Sequence, residues 1–253
     1  MIKTTTLTKK FGNTTAIEDL DLTVEPGEIV GFLGPNGAGK STTVKILTGM
    51  IKPTSGSAYI GGYDVVKHSL EAKRRFGYVP ESGAIYEVTT PSEYLHLVAT
   101  LHDMEPESAK SKADELLRLF GLNDNSKQQM FDFSKGMKQK VLICAALLTD
   151  PQVLLLDEPL NGLDANTVSV VKELLRSLAN DGMAILFCSH ILEVVERLCT
   201  RIVIIDHGRF VIQGTTEKIK EQWQASTLEE AFSKITGIED PTSISSDIMN
   251  ALT

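Results

Sequence analysis

Ile29-Val30-Gly31-Phe32-Leu33 is an apolar run without a polar interruption, and it feeds directly into Gly34-Pro35-Asn36-Gly37-Ala38-Gly39-Lys40-Ser41. Consecutive apolar residues need cover on both faces, which is the environment of a central strand in a buried sheet. The octapeptide fits G-x-x-x-x-G-K-[ST], and Thr42 to Thr48 continue with helical character. Strand, glycine loop and helix in that order form a cradle for phosphate: the glycines let backbone N–H groups turn inward, Lys40 reaches the β- and γ-phosphates, and the Ser41 hydroxyl takes Mg²⁺ at the positive end of the helix. A glycine-rich turn of purely structural purpose is the alternative, but it has no need of a lysine and a hydroxyl at its end. The expected ligands are therefore ATP, or a closely related nucleoside triphosphate, and Mg²⁺.

The flanking segments alternate in character. Ile17, Leu20, Leu22 and Val24 alternate with polar residues before the Pro26-Gly27 turn, which predicts antiparallel strands. After a second turn at Pro53 to Gly56, Ala58-Tyr59-Ile60 returns to a sheet. A helical insertion begins near Val88: Thr90 is a cap, Pro91 occupies the first helical position, and further helices are predicted from Glu105 to Phe120 and from about Ser134. Beyond Pro151, short apolar runs at Val153 to Leu156, Ala184 to Cys188 and Ile202 to Ile205 alternate with helical Val168 to Leu178 and Ile191 to Leu198, the pattern of a largely parallel sheet. The fold class is α/β, a P-loop NTPase core with a mostly parallel sheet, an N-terminal antiparallel β subdomain and a helical insertion. The expected division is an ATPase unit over 1–225, with the helical subdomain at about 88–150, and a C-terminal helix and tail over 226–253. Leu228 to Phe232 is read as a short helix, docked or solvated, and Pro241 to Ser246 as a loosely held tail.

Val153-Leu154-Leu155-Leu156-Asp157-Glu158 is an apolar strand ending in two carboxylates, the Walker B pattern. It places a metal-orienting acid, Asp157, and a water-polarising base, Glu158, at the carboxyl edge of the sheet. A strand merely capped by solvated acids is the alternative. The 253 residues carry a formal net charge of −8, which argues against a generalised binder of phosphate backbones, so no nucleic acid is expected. No apolar run approaches the roughly 18 residues needed to cross a bilayer, and Met1 to Lys10 lacks the apolar core of a secretory signal, so the chain is expected in the cytoplasm. Cys144, Cys188 and Cys199 lack zinc-type spacing and are expected to be buried structural thiols.

With these motifs in order, about Met1 to Gly214 resembles the nucleotide-binding subunit of an ATP-binding cassette transporter. Phe133-Ser134-Lys135-Gly136-Met137-Lys138-Gln139 stands where that family has its signature sequence, Leu160-Asn161-Gly162-Leu163-Asp164 resembles its D-loop, and Cys188-Ser189-His190 its switch histidine. Taken singly, these would be an ordinary helix cap, another cap, and a structural histidine. The resemblance implies that Glu158, His190 and Lys40 are catalytic, and that nucleotide contacts come from Phe11 (stacking on adenine), from Gly34 through Thr42, and from Ser134 and Gly136 of a second cassette. Ser41, Asp157 and Glu81 are the implied metal set.

Two departures stand out. Glu81, in Gly77-Tyr78-Val79-Pro80-Glu81, occupies the position of the usual Q-loop glutamine, keeping an oxygen for Mg²⁺ or water but adding a negative charge. Lys135 and Met137 replace a glycine and a glutamine, a form similar to bacterial cassettes that serve separate export-type membrane subunits. The implied partners are a second cassette, as homodimer or paralogue, and a separately encoded transmembrane permease contacted near Glu81 and the helices after Pro91. That arrangement would hold the chain peripherally on the cytoplasmic face of the membrane. The rival readings are a soluble ATPase of the same superfamily acting on the ribosome or nucleic acid, and a regulatory cassette that binds without turnover.

Overall fold

The computed structural model describes residues 1–81 and 85–237. Strands β1 (Ile2–Phe11) and β2 (Thr14–Val24) form an antiparallel hairpin whose inward side chains, among them Ile2, Leu7, Ile17 and Leu20, are fully buried. The chain then enters β3 (Ile29–Leu33) and, after the glycine loop, helix α1 (Lys40–Leu47), which begins two residues earlier than the sequence indicates. β4 (Ser55–Ile60) returns beside β1, and β5 (Tyr63–Asp64) completes a four-stranded antiparallel sheet in the order β2-β1-β4-β5. Helix α2 (Ser69–Lys73) leads to β6 (Phe76–Val79).

The helical insertion follows the sequence signals closely. In α3 (Pro91–Leu101), Thr90 and Glu93 form a reciprocal capping box, with Pro91 at the first helical position. Helix α4 (Pro106–Leu119) is capped by the Glu105 carboxylate and buries Ala109, Ala113 and Leu117. Helix α5 (Lys135–Leu148) is capped by Ser134. The remainder is β7 (Val153–Asp157), α6 (Ala165–Asn180), β8 (Ala184–Cys188), α7 (Leu192–Leu198), β9 (Arg201–Asp206), β10 (Arg209–Gly214), α8 (Thr216–Gln222) and α9 (Leu228–Thr236).

The second sheet has the order β10-β9-β3-β8-β7-β6, antiparallel only at β9/β10. It divides the interior into two cores, and successive residues of each central strand go to opposite sides. Ile29 and Leu33 join Leu154, Leu156, Ile185 and Phe187 against the helical insertion and α6. Val30 and Phe32 join Val153, Leu155, Leu186 and Val203 against α1 and the antiparallel sheet. This two-sided burial is why β3, β7 and β8 read as unbroken apolar runs. Full burial of a side chain such as Phe32 contributes about 1.5–3 kcal/mol.

Cys144 and Cys188 are buried as expected; Cys199 is only partly buried as a residue, because it closes α7 where the chain turns out to β9. Burial still pushes the thiols of all three upward. Helix α9 packs on α7 and α8 with Leu228 and Ala231 fully buried, so it is docked and not solvated. Residues 241–246 lie outside the described residues. No helix among the described residues is long and apolar enough to cross a membrane.

The insertion meets the sheet at one tight contact. A Cβ on Gly77 of β6 would stand 2.1 Å from the Ala146 carbonyl oxygen of α5, so nothing larger than glycine fits unless one backbone moves. Gly77→Ala is expected to destabilise the protein by about 1–3 kcal/mol, read as a lower urea midpoint with an unchanged m-value.

Candidate active site

β3, β8, β7 and β6 are neighbours in the sheet, and four segments leave their carboxyl ends side by side: the loop from Gly34, Ser189-His190, Asp157-Glu158, and Pro80-Glu81. Together they line a cleft of about 610 Å³, at the edge where open α/β sheets take their ligands. Of the residues expected from sequence, Gly34, Pro35, Asn36, Gly37, Ala38, Gly39, Lys40, Ser41, Thr42, Glu81, Asp157, Glu158 and His190 all line it. Phe11, Ser134 and Gly136 do not.

The loop keeps its shape through Gly39, at φ +105°, where a Cβ would stand 2.7 Å from the Ala16 carbonyl oxygen. Gly39 is also the N-cap of α1 and offers no side-chain acceptor, so the first N–H groups of the helix point into the cleft as anion donors. Lys40 Nζ lies along the loop, donating to the carbonyl oxygens of Gly34 (2.5 Å) and Pro35 (3.0 Å). The Ser41 side chain is exposed at the cleft floor.

The acids are far less accessible. Asp157 is 6% and Glu158 7% exposed. Burial, followed by the charges of Glu81 and Glu158, pushes the Asp157 carboxyl up to about 6 against the opposing pull of Lys40 and Lys45. Such an excess of negative charge fits a divalent cation. Among the described residues no three carboxylate, histidine or cysteine side chains converge tightly enough to hold a metal by themselves. The donors present are the Ser41 hydroxyl and the Asp157 and Glu81 carboxylates, all hard oxygens of the kind that suits Mg²⁺.

Glu158 is the most constrained residue of the site. Its backbone is left-handed, φ +50°, a conformation costing a non-glycine residue about 1–2 kcal/mol. Its N–H donates to the Cys188 carbonyl oxygen at 3.0 Å, tying β7 to the end of β8. One carboxylate oxygen, Oε1, lies 2.9 Å from His190 Nδ1. The other, Oε2, accepts from Ser189 Oγ at 3.3 Å, and that same hydroxyl accepts from the Ile191 N–H at 3.1 Å. Ser189, 3% exposed, is a site residue to which sequence reasoning assigns no role; its only signal is its place between Cys188 and His190. Leu192 and Phe232 also line the cleft without a sequence signal.

The remaining expected residues lie outside the cleft. Ser134 Oγ accepts from the Met137 N–H at 3.2 Å as the cap of α5. A Cβ on Gly136 would stand 2.4 Å from the Gly162 carbonyl oxygen, so the start of α5 lies directly on the Leu160–Asp164 turn. Gln139 Nε2 donates to the Pro159 carbonyl oxygen (2.9 Å) beside it. Phe11, at the end of β1, is 51% exposed with Lys9 Nζ 4.9 Å from its ring centroid. A second groove of about 470 Å³ continues from Ser41, Glu81 and Asp157 past Tyr78 to Tyr94 and Leu142 of the helical insertion.

The strain at position 158 can be isolated from its chemistry. Glu158→Gly is expected to be more stable than Glu158→Ala by about 1 kcal/mol, because both remove the carboxylate and only alanine keeps the penalty at positive φ; paired urea unfolding curves measure the difference.

Comparison with known proteins bears on the family and the fold. The sequence profile of the family described as ABC transporter matches residues 17–161. The bacitracin transport ATP-binding protein BcrA of Bacillus licheniformis is 39% identical over 223 residues, covering 88% of this chain and 72% of that protein. A solved structure of the ATP-binding subunit of an ABC transporter superposes with a TM-score of 0.88 at 34% identity, covering 93% of this chain and 99% of that one. A dimeric ATP-binding cassette in a post-hydrolysis state, bound to ADP and Pi, superposes with a TM-score of 0.77 at 26% identity over 85% of this chain and 98% of that one. The chain belongs to the ABC transporter family, as an ATP-hydrolysing nucleotide-binding subunit with the cassette fold.

Proposed function

We propose that this subunit drives an export-type transporter by closing on a second cassette around Mg·ATP and reopening after hydrolysis. The observation that carries the reading is the division of the site: the phosphate loop, Asp157, Glu158 and His190 share one cleft, whereas Ser134 and Gly136 lie outside it. A cleft that lacks its signature residues is half of a site, and the post-hydrolysis relative is a dimer. ATP held by Gly34 to Thr42 of one copy is then covered by Ser134 and Gly136 of the other, with Phe11 against the adenine.

Within that site Lys40 and the N-terminus of α1 neutralise phosphate charge, and Ser41, Asp157 and Glu81 would hold the metal. Mg²⁺, when bound, would supply charge neutralisation for the transferring phosphate. Glu158 orients and polarises the attacking water for in-line transfer, and His190 contacts the γ-phosphate and steadies the Glu158 carboxylate. We take residues 1–225 as the ATPase unit, with its helical subdomain at about 88–150, and 226–253 as a C-terminal appendage.

In this reading the permease docks at the second groove. Its walls join the metal side of the cleft, through Glu81, to Tyr94 of α3, and the exposed apolar residues Tyr86, Val88 and Leu101 lie on the same insertion. A membrane partner seated there would feel the cleft close, and it would keep the subunit on the cytoplasmic face of the membrane. The relative named for bacitracin transport supports a transport role of this kind.

Glu158→Gln is expected to lower ATP turnover by about two to four orders of magnitude while ATP is still bound, as read by steady-state phosphate release beside equilibrium nucleotide binding. Retained turnover would exclude Glu158 as the base. Turnover of the isolated wild-type subunit should rise with the square of its concentration in the dilute regime and vanish on chelation with EDTA. A strictly first-order dependence at every concentration would sink the shared-site reading. Recovery from gently solubilised membranes should yield a membrane protein, whereas recovery with ribosomes alone would move the subunit to the soluble class.

A further inference from the structure

α9 has no part in the chemistry just described, yet its docking reaches the catalytic loop. Thr227 caps the helix by accepting from the Glu230 N–H at 3.1 Å, and the Glu230 carboxylate takes the Ser226 N–H (2.8 Å), the Ser226 hydroxyl (2.9 Å) and Lys234 Nζ (2.7 Å). This network fixes where the helix begins. Leu228 and Ala231 are fully buried on α7 and α8. The next residue, Phe232, is partly buried and enters the wall of the nucleotide cleft together with Leu192 and His190.

Leu192 is the first residue of α7 and the far end of the short loop that begins at Ser189. That loop holds both oxygens of Glu158: His190 Nδ1 lies at 2.9 Å from Oε1, and Ser189 Oγ bonds Oε2 at 3.3 Å. The hydroxyl is itself held by the Ile191 N–H. The loop has little else to fix it on the cleft side, since His190 is exposed and Ile191 is exposed. The Phe232 ring lines the same cleft wall as Leu192, on a helix that packs against α7, where it is the apolar group available to back the loop; a helix serving only to cover α7 and α8 could dock through Leu228 and Ala231 without it.

We propose that α9 is a positioning element of the active site, in which Phe232 backs the Ser189–Leu192 loop and thereby sets the Glu158 carboxylate. The inference rests on Glu158 and His190 acting as the catalytic pair. Loss of the ring lets the loop drift, and a displaced base costs rate without costing nucleotide affinity, because the phosphate loop that binds ATP is a separate segment.

The test is steady-state ATP hydrolysis by the full chain, with kcat expressed per bound nucleotide and thermal unfolding measured alongside. Phe232→Ala is expected to lower kcat by about tenfold with KM for ATP nearly unchanged, and Phe232→Leu to restore most of the loss. Combined with Ser189→Ala, it should add little to the stronger single effect, since both act through the same carboxylate. Leu192→Ala removes the loop's own apolar residue on that wall and gives the same readout should Phe232→Ala not fold. Unchanged kcat per bound nucleotide, a defect confined to KM, or full additivity with Ser189→Ala overturns the proposal. Glu158→Gln keeps the two readings apart: a dead Glu158→Gln beside a fully active Phe232→Ala removes only the role of α9, whereas an active Glu158→Gln removes the catalytic assignment beneath it.

Discussion

Burial of β3 on both faces governs where every group in the cleft stands. Val30 and Phe32 are held by the core under the antiparallel sheet, and Ile29 and Leu33 by the core under the helical insertion. A strand gripped from both sides cannot slip by one residue without sending each set into the wrong core. Its carboxyl end is therefore a fixed point, and the phosphate loop starts from it. β8 and β7 follow in register, pairing Gly31 with Phe187 and Leu156 with Phe187, so the Ser189-His190 segment and the acidic pair emerge at matching height.

On that frame the molecule holds a site that is unfavourable in two respects. Asp157 is buried beside Glu81 and Glu158 with its carboxyl pushed up to about 6, and Glu158 sits at positive φ. Both costs concentrate where a metal ion and a reacting phosphate would relieve them, which is the usual location of stored strain. Glu81 adds to the first cost, since its charge helps push the Asp157 carboxyl up and a glutamine there would carry none. The Ser189 hydroxyl, itself bonded by the Ile191 N–H, and the contact from His190 engage the two oxygens of the Glu158 carboxylate.

Most of the helices and central strands were legible because their signals are local. Thr90-Pro91, Glu105 and Ser134 cap the three insertion helices, and β3, β7 and β8 carry unbroken apolar runs. The elements that escaped reading lack such a signal. β6 is four residues long with a glycine inside, and it becomes a strand only through its pairing with β7. β10 is a largely exposed edge strand, and α8 is mostly polar on its visible face, so neither shows apolar periodicity. The apolar residues Leu228, Ala231 and Phe232 were visible, but whether their helix docks depends on the surface α7 and α8 present to it.

The order of residues along the chain was sufficient for the phosphate loop, the acidic pair after β7 and the Ser134 cap of α5, because each is a contiguous string whose structure is set by neighbours in sequence. It was sufficient also for the fold class, since a two-sided apolar strand followed by a glycine loop and a helix admits few architectures. Which of these strings meet was decided by tertiary structure alone. Sheet order brings β8 between β3 and β7, so Ser189 and His190 reach Glu158 across 31 and 32 positions of sequence, and the packing of α9 brings in Phe232 from 74 positions away. Contacts of that range are set by how buried surfaces fit one another, a property that no local run of residues carries.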